Sequence, residues 1–461
     1  MSNIPSSASS PTLQLAQRIS SAIYANIPLP ALEVGKQALM DFIGVTVAGM
    51  EEPLSQILIA EAEEAGGHPQ ATIIGSNSRA NVQQAALING SAGHAHDYDD
   101  VHINMGGHPT VPVAPVVFAL GEHLDSSGSD LLTAFIAGVD VECILGRYAG
   151  PSHYAKGWHA TGTLGTFGAA AAASVLRKLD TPTTAAALGI AGTQAAGLKS
   201  QFGTMCKPLH AGHAAATGVQ AASLASREFS SRLDILEANQ GFMSTQSESV
   251  SEERFSVALS NRAFAQNICF KYHAACYLTH SSIEAVSSLC NANLFAPGDI
   301  ESVEIRVNAG HFDVCNIEKP ATGLEAKFSL RFTAAMAMAG IDTSSISIFT
   351  DKLTQQPELI ALADKVRITA HTSPKPESVV TMTLLNGETH TEAVNVAIPM
   401  TDLNAQWEKL ERKFHALVDS RLGSEVAHDL INYCKTLDEY DDLSEFYCLL
   451  SAPVTAPRST R

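Results

Sequence analysis

The sequence predicts a mainly α fold: a large helical-bundle domain with a smaller α+β lid domain inserted into it. Three observations carry this. Apolar residues recur at i, i+3 and i+4 from about Thr12 to Arg227. After about residue 270 the chain turns to alternating and β-branched runs. From Thr401 onward helical periodicity returns.

The elements follow in order. Helices are expected at Thr12–Ala25, Pro30–Met50 and Leu54–Ala65, then a short strand-like piece at Ala71–Ile74. Further helices are expected at Asn81–Asp100, Val111–Leu124, Asp130–Tyr148, Thr163–Leu179, Thr183–Leu198 and Pro208–Arg227. Ser129-Asp130 and Asp180-Thr181-Pro182 read as helix starts. Many of these helices are rich in Ala and Gly, which lets helices approach closely and be buried on all sides. In the α+β part, strands are expected at Ile300–Val307, Lys365–Ala370, Val379–Leu385 and Thr389–Val396, with helices at Thr279–Ala292 and Leu324–Ala339. Asn386-Gly387 is a hairpin signal between the last two strands. The expected layout is a disordered lead-in (1–10), a helical domain (11–268), the lid (269–400), a helical return (401–453) and a disordered tail (454–461).

Composition narrows the function. The chain has 461 residues, 29 basic against 47 acidic, for a net charge of −18. Such a balance argues against nucleic acid and anionic membranes as partners, but a local basic pocket can still take a small anion. The start, MSNIPSSASSP, lacks the charged and apolar regions of a signal peptide, and no run is long and apolar enough to span a membrane. The eight cysteines include no C-x-x-C pair, so reduced thiols in a cytoplasmic setting are expected, without a zinc ribbon or iron–sulfur cluster.

Four segments carry candidate chemistry. Residues 93–110, GHAHDYDDVHINMGGHPT, hold His94, His96, His102, His108, Asp97, Asp99 and Asp100. No other stretch is so dense in groups that move protons or grip carboxylates. Read as one helix through Asp100, it puts His94, Asp97 and Val101 on a shared face. A metallohydrolase reading would use His94, His96 and Asp100. Its H-x-H-x-D-H pattern, however, needs an aspartate at 98 and a histidine at 99, where the chain has Tyr98 and Asp99. The second segment, KGWHATGTLGTFGAAAA, places His159 before a helix whose glycines at 162, 165 and 168 suit close packing rather than a nucleotide loop. In the third, Cys206-Lys207-Pro208-Leu209-His210-Ala211-Gly212-His213, Lys207 stands at a helix start. A cation is unfavourable there unless an anion shares the spot. The fourth, KYHAACYLTH, brings His273 and His280 to the domain junction. With no G-x-S-x-G nucleophile, the chemistry these groups suit is proton abstraction beside a carboxylate.

These segments, with EAKFSLRFTAAMA at 325–337, resemble the MmgE/PrpD family in the same order along most of the chain. The family includes 2-methylcitrate dehydratase, cis-aconitate decarboxylase and iminodisuccinate epimerase, which act on small di- or tricarboxylates without a metal or organic cofactor. The resemblance implies a helical domain, a lid domain, a cleft and a homodimer. Carried over by position, it puts the family's aspartate at Asp97, its histidines at His108 and His159, and its lysine at Lys207. It also departs: Val101 stands where a threonine tends to occur and Cys276 where the decarboxylase has a histidine. His311 or Phe312 falls where a tyrosine is expected. The resulting expectation is a cofactor-independent lyase most like 2-methylcitrate dehydratase, with epimerisation and cis-aconitate decarboxylation as alternatives. Asp97 and His108 would move protons, and Lys207 and His159 would hold carboxylates. His280 would act from the lid, and His102 and His273 would complete substrate binding.

Overall fold

The computed structural model describes residues 10–261, 263–293, 296–312, 314–371 and 377–451. The expected disordered lead-in (apart from Ser10) and the expected disordered tail lie outside the described residues. The chain divides into two compact units, Met1–Phe270 with Asp402–Arg461, and Lys271–Thr401.

The first unit is helical. Its main helices are α1 (Pro11–Ser20), α2 (Leu29–Gly49), α3 (Pro53–Ala65), α4 (Val82–Gly93), α5 (Thr110–His123), α6 (Gly128–Ala149), α7 (Ala160–Leu176), α8 (Thr181–Gly192) and α9 (Cys206–Ala225), rejoined by α10 (Leu403–Leu422) and α11 (Ser424–Lys435). The strand-like piece reduces to a two-residue ladder, Ala71–Thr72 against Arg79–Ala80. At the centre, α7 packs against α5, α6 and α9, and α9 packs against α4. Every residue of α7 except Val175 is buried, so its Ala-rich sequence is that of a helix surrounded by others. A Cβ on Gly90 of α4 would stand 2.8 Å from Gly212 Cα of α9, and one on Gly218 would stand 2.4 Å from Ala169 Cβ of α7. Small residues thus set the helix spacing and bring three helix ends into one place.

Two caps show the local logic. Asp180 accepts from Thr183 N–H ahead of Pro182, as its sequence indicates. The start of α6 is capped by Ser127 rather than Ser129: Ser127 and Asp130 satisfy each other's backbone N–H in a reciprocal pair, two residues earlier than expected. The larger difference lies in α4. The helix expected through Asp100 ends at Gly93, with His94 as its cap. The polar residues beyond it bond locally instead, and Asp97 takes φ +52°, a left-handed conformation that no helix continues through. The shared helical face of His94, Asp97 and Val101 therefore does not exist.

The second unit is a four-stranded sheet with helices. Its strands are β1 (Ile300–Asn308), β2 (Val366–His371), β3 (Ser378–Leu384) and β4 (Thr389–Val394), in the order β2-β1-β3-β4. The β1–β2 pair is parallel and the others are antiparallel, with Gly387 at φ +86° in the turn between β3 and β4. Ile300, Val303, Ile305 and Val307 of β1 and Val380, Met382 and Leu384 of β3 face a core shared with the helices Tyr277–Asn293 and Leu330–Met338. The helix expected over Leu324–Ala339 is two pieces, Gly323–Ala326 and Leu330–Met338, because Ser329 caps the second by accepting from Phe332 N–H.

No single helix among the described residues is long and apolar enough to cross a membrane. A test of the close packing is Gly49→Ala, whose Cβ would fall 2.0 Å from Ala92 O of α4. Backbone cannot yield as a side chain can, so the variant is expected to lose about 1–3 kcal/mol. The denaturation midpoint measures this, and an unchanged midpoint would show that α2 and α4 can separate freely.

Candidate active site

The site is built on the loop that links α4 to α5. The loop is fastened along its length. Val101 exchanges two backbone hydrogen bonds with Cys269, at 2.9 and 3.0 Å, and His102 N–H donates to Gly107 O. At its end the Asp100 carboxylate accepts from the Thr110 backbone N–H and hydroxyl at the start of α5. His108 is set from outside the loop, its N–H donating to Thr161 Oγ1 of α7 at 3.0 Å.

Between these anchors the side chains converge. The Asp99 carboxylate, 2% exposed, receives His94 Nδ1 at 2.9 and 3.0 Å and stands 2.9 Å from His108 Nδ1. His108 turns its other nitrogen toward Asp97, with Nε2 3.4 Å from Oδ1. Lys207, the second residue of α9, places its ammonium 2.8 Å from the same Asp97 oxygen. His159, capping α7, stacks on His94 with ring centroids 5.8 Å apart, and its Nδ1 is 3.0 Å from His210 Nδ1. Phe202 covers the His159 ring edge-on, and Lys207 lies 5.4 Å over the same Phe202 ring.

Protonation follows from burial. Burial pushes His94 down to about 4, so the ring is neutral. Its Nδ1–H donates to Asp99, which leaves Nε2 as a lone-pair nitrogen. That nitrogen is buried and has no hydrogen-bond partner among the described residues. Burial would raise Asp99, but the two imidazoles outweigh it and hold the carboxyl well below its usual range. Burial, with the neighbouring imidazoles and Lys207, pushes His159 down to about 2, so it too is neutral. Asp100 goes the other way: burial raises it to about 8 despite the Thr110 bonds. Asp97, by contrast, is half exposed and holds a left-handed backbone conformation, a strain that functional loops commonly store.

His94, Asp97, Asp99 and His108 could each offer one ligand atom to a metal ion, and those atoms lie within 4.8 Å of one another. The Lys207 ammonium, however, already lies against Asp97 and would face a divalent ion as a like charge, while Asp99 is engaged by two imidazoles. The donor set fits an acid–base site neutralised by an ammonium. The metallohydrolase set is not assembled. His96 Nε2 lies 3.4 Å from Ala48 O and 3.7 Å from Glu52, and Asp100 is bound to Thr110.

Asp97, His108, His159 and Lys207 are thus brought together in the first unit. His102 is not part of the group. Its Nε2–H donates to Phe264 O and its Nδ1 accepts from Asn104 N–H, so both nitrogens hold the loop. His273 and His280 belong to the second unit, where His273 bonds Thr343 and lies 3.3 Å from Glu284. His280 is buried and its Nε2–H donates to Ala275 O. Three contributors escaped the sequence reading: His94 as a buried base, Asp99 as the shared anchor, and His210 as the partner of His159. The density of HAHDYDD flagged the first two, but which side chains turn inward depends on the left-handed Asp97.

The fold and this array define a mainly helical, two-unit acid–base enzyme of the lyase and isomerase kind. The chain belongs to the MmgE/PrpD family: it matches the MmgE/PrpD N-terminal domain over residues 13–253 and the C-terminal domain over 273–439. It is 28% identical to human cis-aconitate decarboxylase over 92% of this chain and 90% of that protein. It is 26% identical to cis-aconitate decarboxylase of Aspergillus terreus over 94% of each.

Burial also fixes a pH response. His94 and His102 are each held at about 4 in the folded chain against an ordinary value of 6.5. Below 6.5 the unfolded chain takes up protons that the folded chain refuses, so stability falls as pH drops from 6.5 toward 4. His102→Asn is expected to melt lower than wild type at pH 7.5 yet to lose less on acidification across that window. Thermal melts over the range measure it, and parallel curves would show that His102 charges freely in the fold.

Proposed function

We propose that the protein is a lyase for a small tricarboxylate, moving a proton at the carbon next to a carboxylate. The observation that carries this is the single array in which Asp97 touches both an ammonium and an imidazole, with a second imidazole held behind by Asp99. Lys207, at the start of α9, receives a substrate carboxylate, which takes the place of Asp97 on the ammonium. Asp97, released, takes the α-proton. The C–H electrons form the new double bond as the C–O bond at the β-carbon breaks. His108, with Nδ1 2.9 Å from the Asp99 carboxylate, gives its proton to the leaving hydroxyl, which departs as water. Lys207 offsets the negative charge that gathers on the carboxylate as the α-proton leaves.

Dehydration is the first reading, supported by Cys276, which stands where the decarboxylase has a histidine. Decarboxylation is the second, supported by relatives that are cis-aconitate decarboxylases. There the bond to a carboxylate breaks, carbon dioxide leaves, and the same acid protonates the carbon it vacated.

Proton NMR of citrate-type hydroxy acids and of cis-aconitate, run in deuterated water, separates the readings. A new alkene from a hydroxy acid supports dehydration. Carbon dioxide from cis-aconitate supports decarboxylation. Deuterium entering substrate without new unsaturation or gas overturns the lyase reading in favour of epimerisation. On the active substrate, Asp97→Asn and His108→Gln are expected to lose roughly 10²- to 10⁴-fold in kcat with little change in Tm. Near-normal turnover in both would make the cluster structural. Lys207→Ala should instead raise KM by roughly 10- to 100-fold, the worth of one charged hydrogen bond, and an unchanged KM would remove its anion role.

A further inference from the structure

Behind the site lies a buried ion pair that the proposed chemistry does not use. Lys413 comes from α10, in the returning part of the chain, and is 0% exposed. Its ammonium lies 2.7 Å from Asp41 Oδ1 of α2 and donates to the Tyr98 backbone carbonyl at 2.9 Å. It also sits 4.0 Å over the Tyr98 ring, which is itself buried. Tyr98 is the residue between Asp97 and Asp99. One carbonyl bond therefore fixes the main chain midway between the carboxylate that meets Lys207 and the carboxylate that holds both imidazoles.

A buried lysine is costly, and a cheaper residue would fill the same space if packing were the need. Asp41, Asp99, Asp100 and Glu142 are all buried as well. Burial pulls the Lys413 pKa down, while Asp41, Asp100 and Asp99 oppose it and keep the charge in place. The ammonium thus has two reasons to stay where it is: a paired carboxylate on α2 and a site loop that needs a fixed backbone.

We propose that Lys413 is a positioning residue, whose bond to the Tyr98 carbonyl holds Asp97 and Asp99 at their working distances from Lys207, His94 and His108. It touches no reacting group; it acts through the loop. The turnover part of the test rests on the lyase reading above, and the histidine part does not.

The test compares wild type with Lys413→Met and with the double variant Asp41→Asn/Lys413→Met. The single change leaves Asp41 buried without its cation and can fail to fold. The double change removes both charges and keeps the volumes close. Two readouts are taken: kcat and KM on the active tricarboxylate, and the side-chain nitrogen–proton NMR signals of His94 and His108 without substrate, assigned with the His108→Gln variant. In the folded double variant kcat is expected to fall roughly 10- to 100-fold, as for a small misplacement of catalytic groups. KM is expected to stay within about threefold, and both histidine signals should move. Wild-type kcat with unmoved signals overturns the proposal. If wild type turns over no tricarboxylate, the lyase reading fails, and the histidine signals alone decide the positioning role: moved signals support it and unmoved signals overturn it. Should both variants fail to fold, Lys413→Arg keeps the charge in a different shape and is read the same way.

Discussion

The site depends on one buried carboxylate. Asp99 lies 2.9 Å from the Nδ1 atoms of both His94 and His108, and its bond to His94 decides what that ring offers outward. With Nδ1 turned to Asp99, His94 presents Nε2 as a lone pair and His108 turns Nε2 to Asp97. Without that anchor the His94 ring, 4.6 Å from that of His108, would have no fixed tautomer. Asp99 stays ionised in the interior because two imidazoles flank it, so the rings and the carboxylate hold one another in their useful states.

The rest of the first unit supplies the distances. The loop carrying Asp97 and Asp99 leaves α4, His159 caps α7, and Lys207 opens α9. These three ends can meet because Gly90 faces Gly212 and Gly218 faces Ala169, with no side chain to hold the helices apart. The Ala and Gly content that looks bland in the sequence is therefore what assembles the chemistry. Lys207 at a helix start and half-exposed Asp97 also make a clear pair, the ammonium 2.8 Å from the carboxylate.

Much was legible before the structure. The periodicity located the first-unit helices to within a few residues at most ends, and Asn386-Gly387 located the turn between β3 and β4. The dense HAHDYDD run, the histidine before α7 and the lysine before Pro208 mark segments whose side chains meet in the structure. The failures were of two kinds. The helix run on through Asp100 continued an apolar spacing past the point where short polar side chains bond locally. His102 was grouped with the active histidines because composition does not say which ring nitrogens the backbone already uses.

By itself the sequence determined the mainly helical class, the family and the stretches rich in proton-moving groups, because periodicity, caps and ordered motifs are local properties of the chain. Only the tertiary structure decided which of those groups face one another. Asp99 could be told from Asp97 and Asp100 only once Asp97 took its left-handed turn, Asp100 bonded Thr110 and Lys413 arrived from 315 residues away. Inward or outward direction within a polar loop has no period to read. It is set by partners distant in sequence, and those become neighbours only when the helices pack.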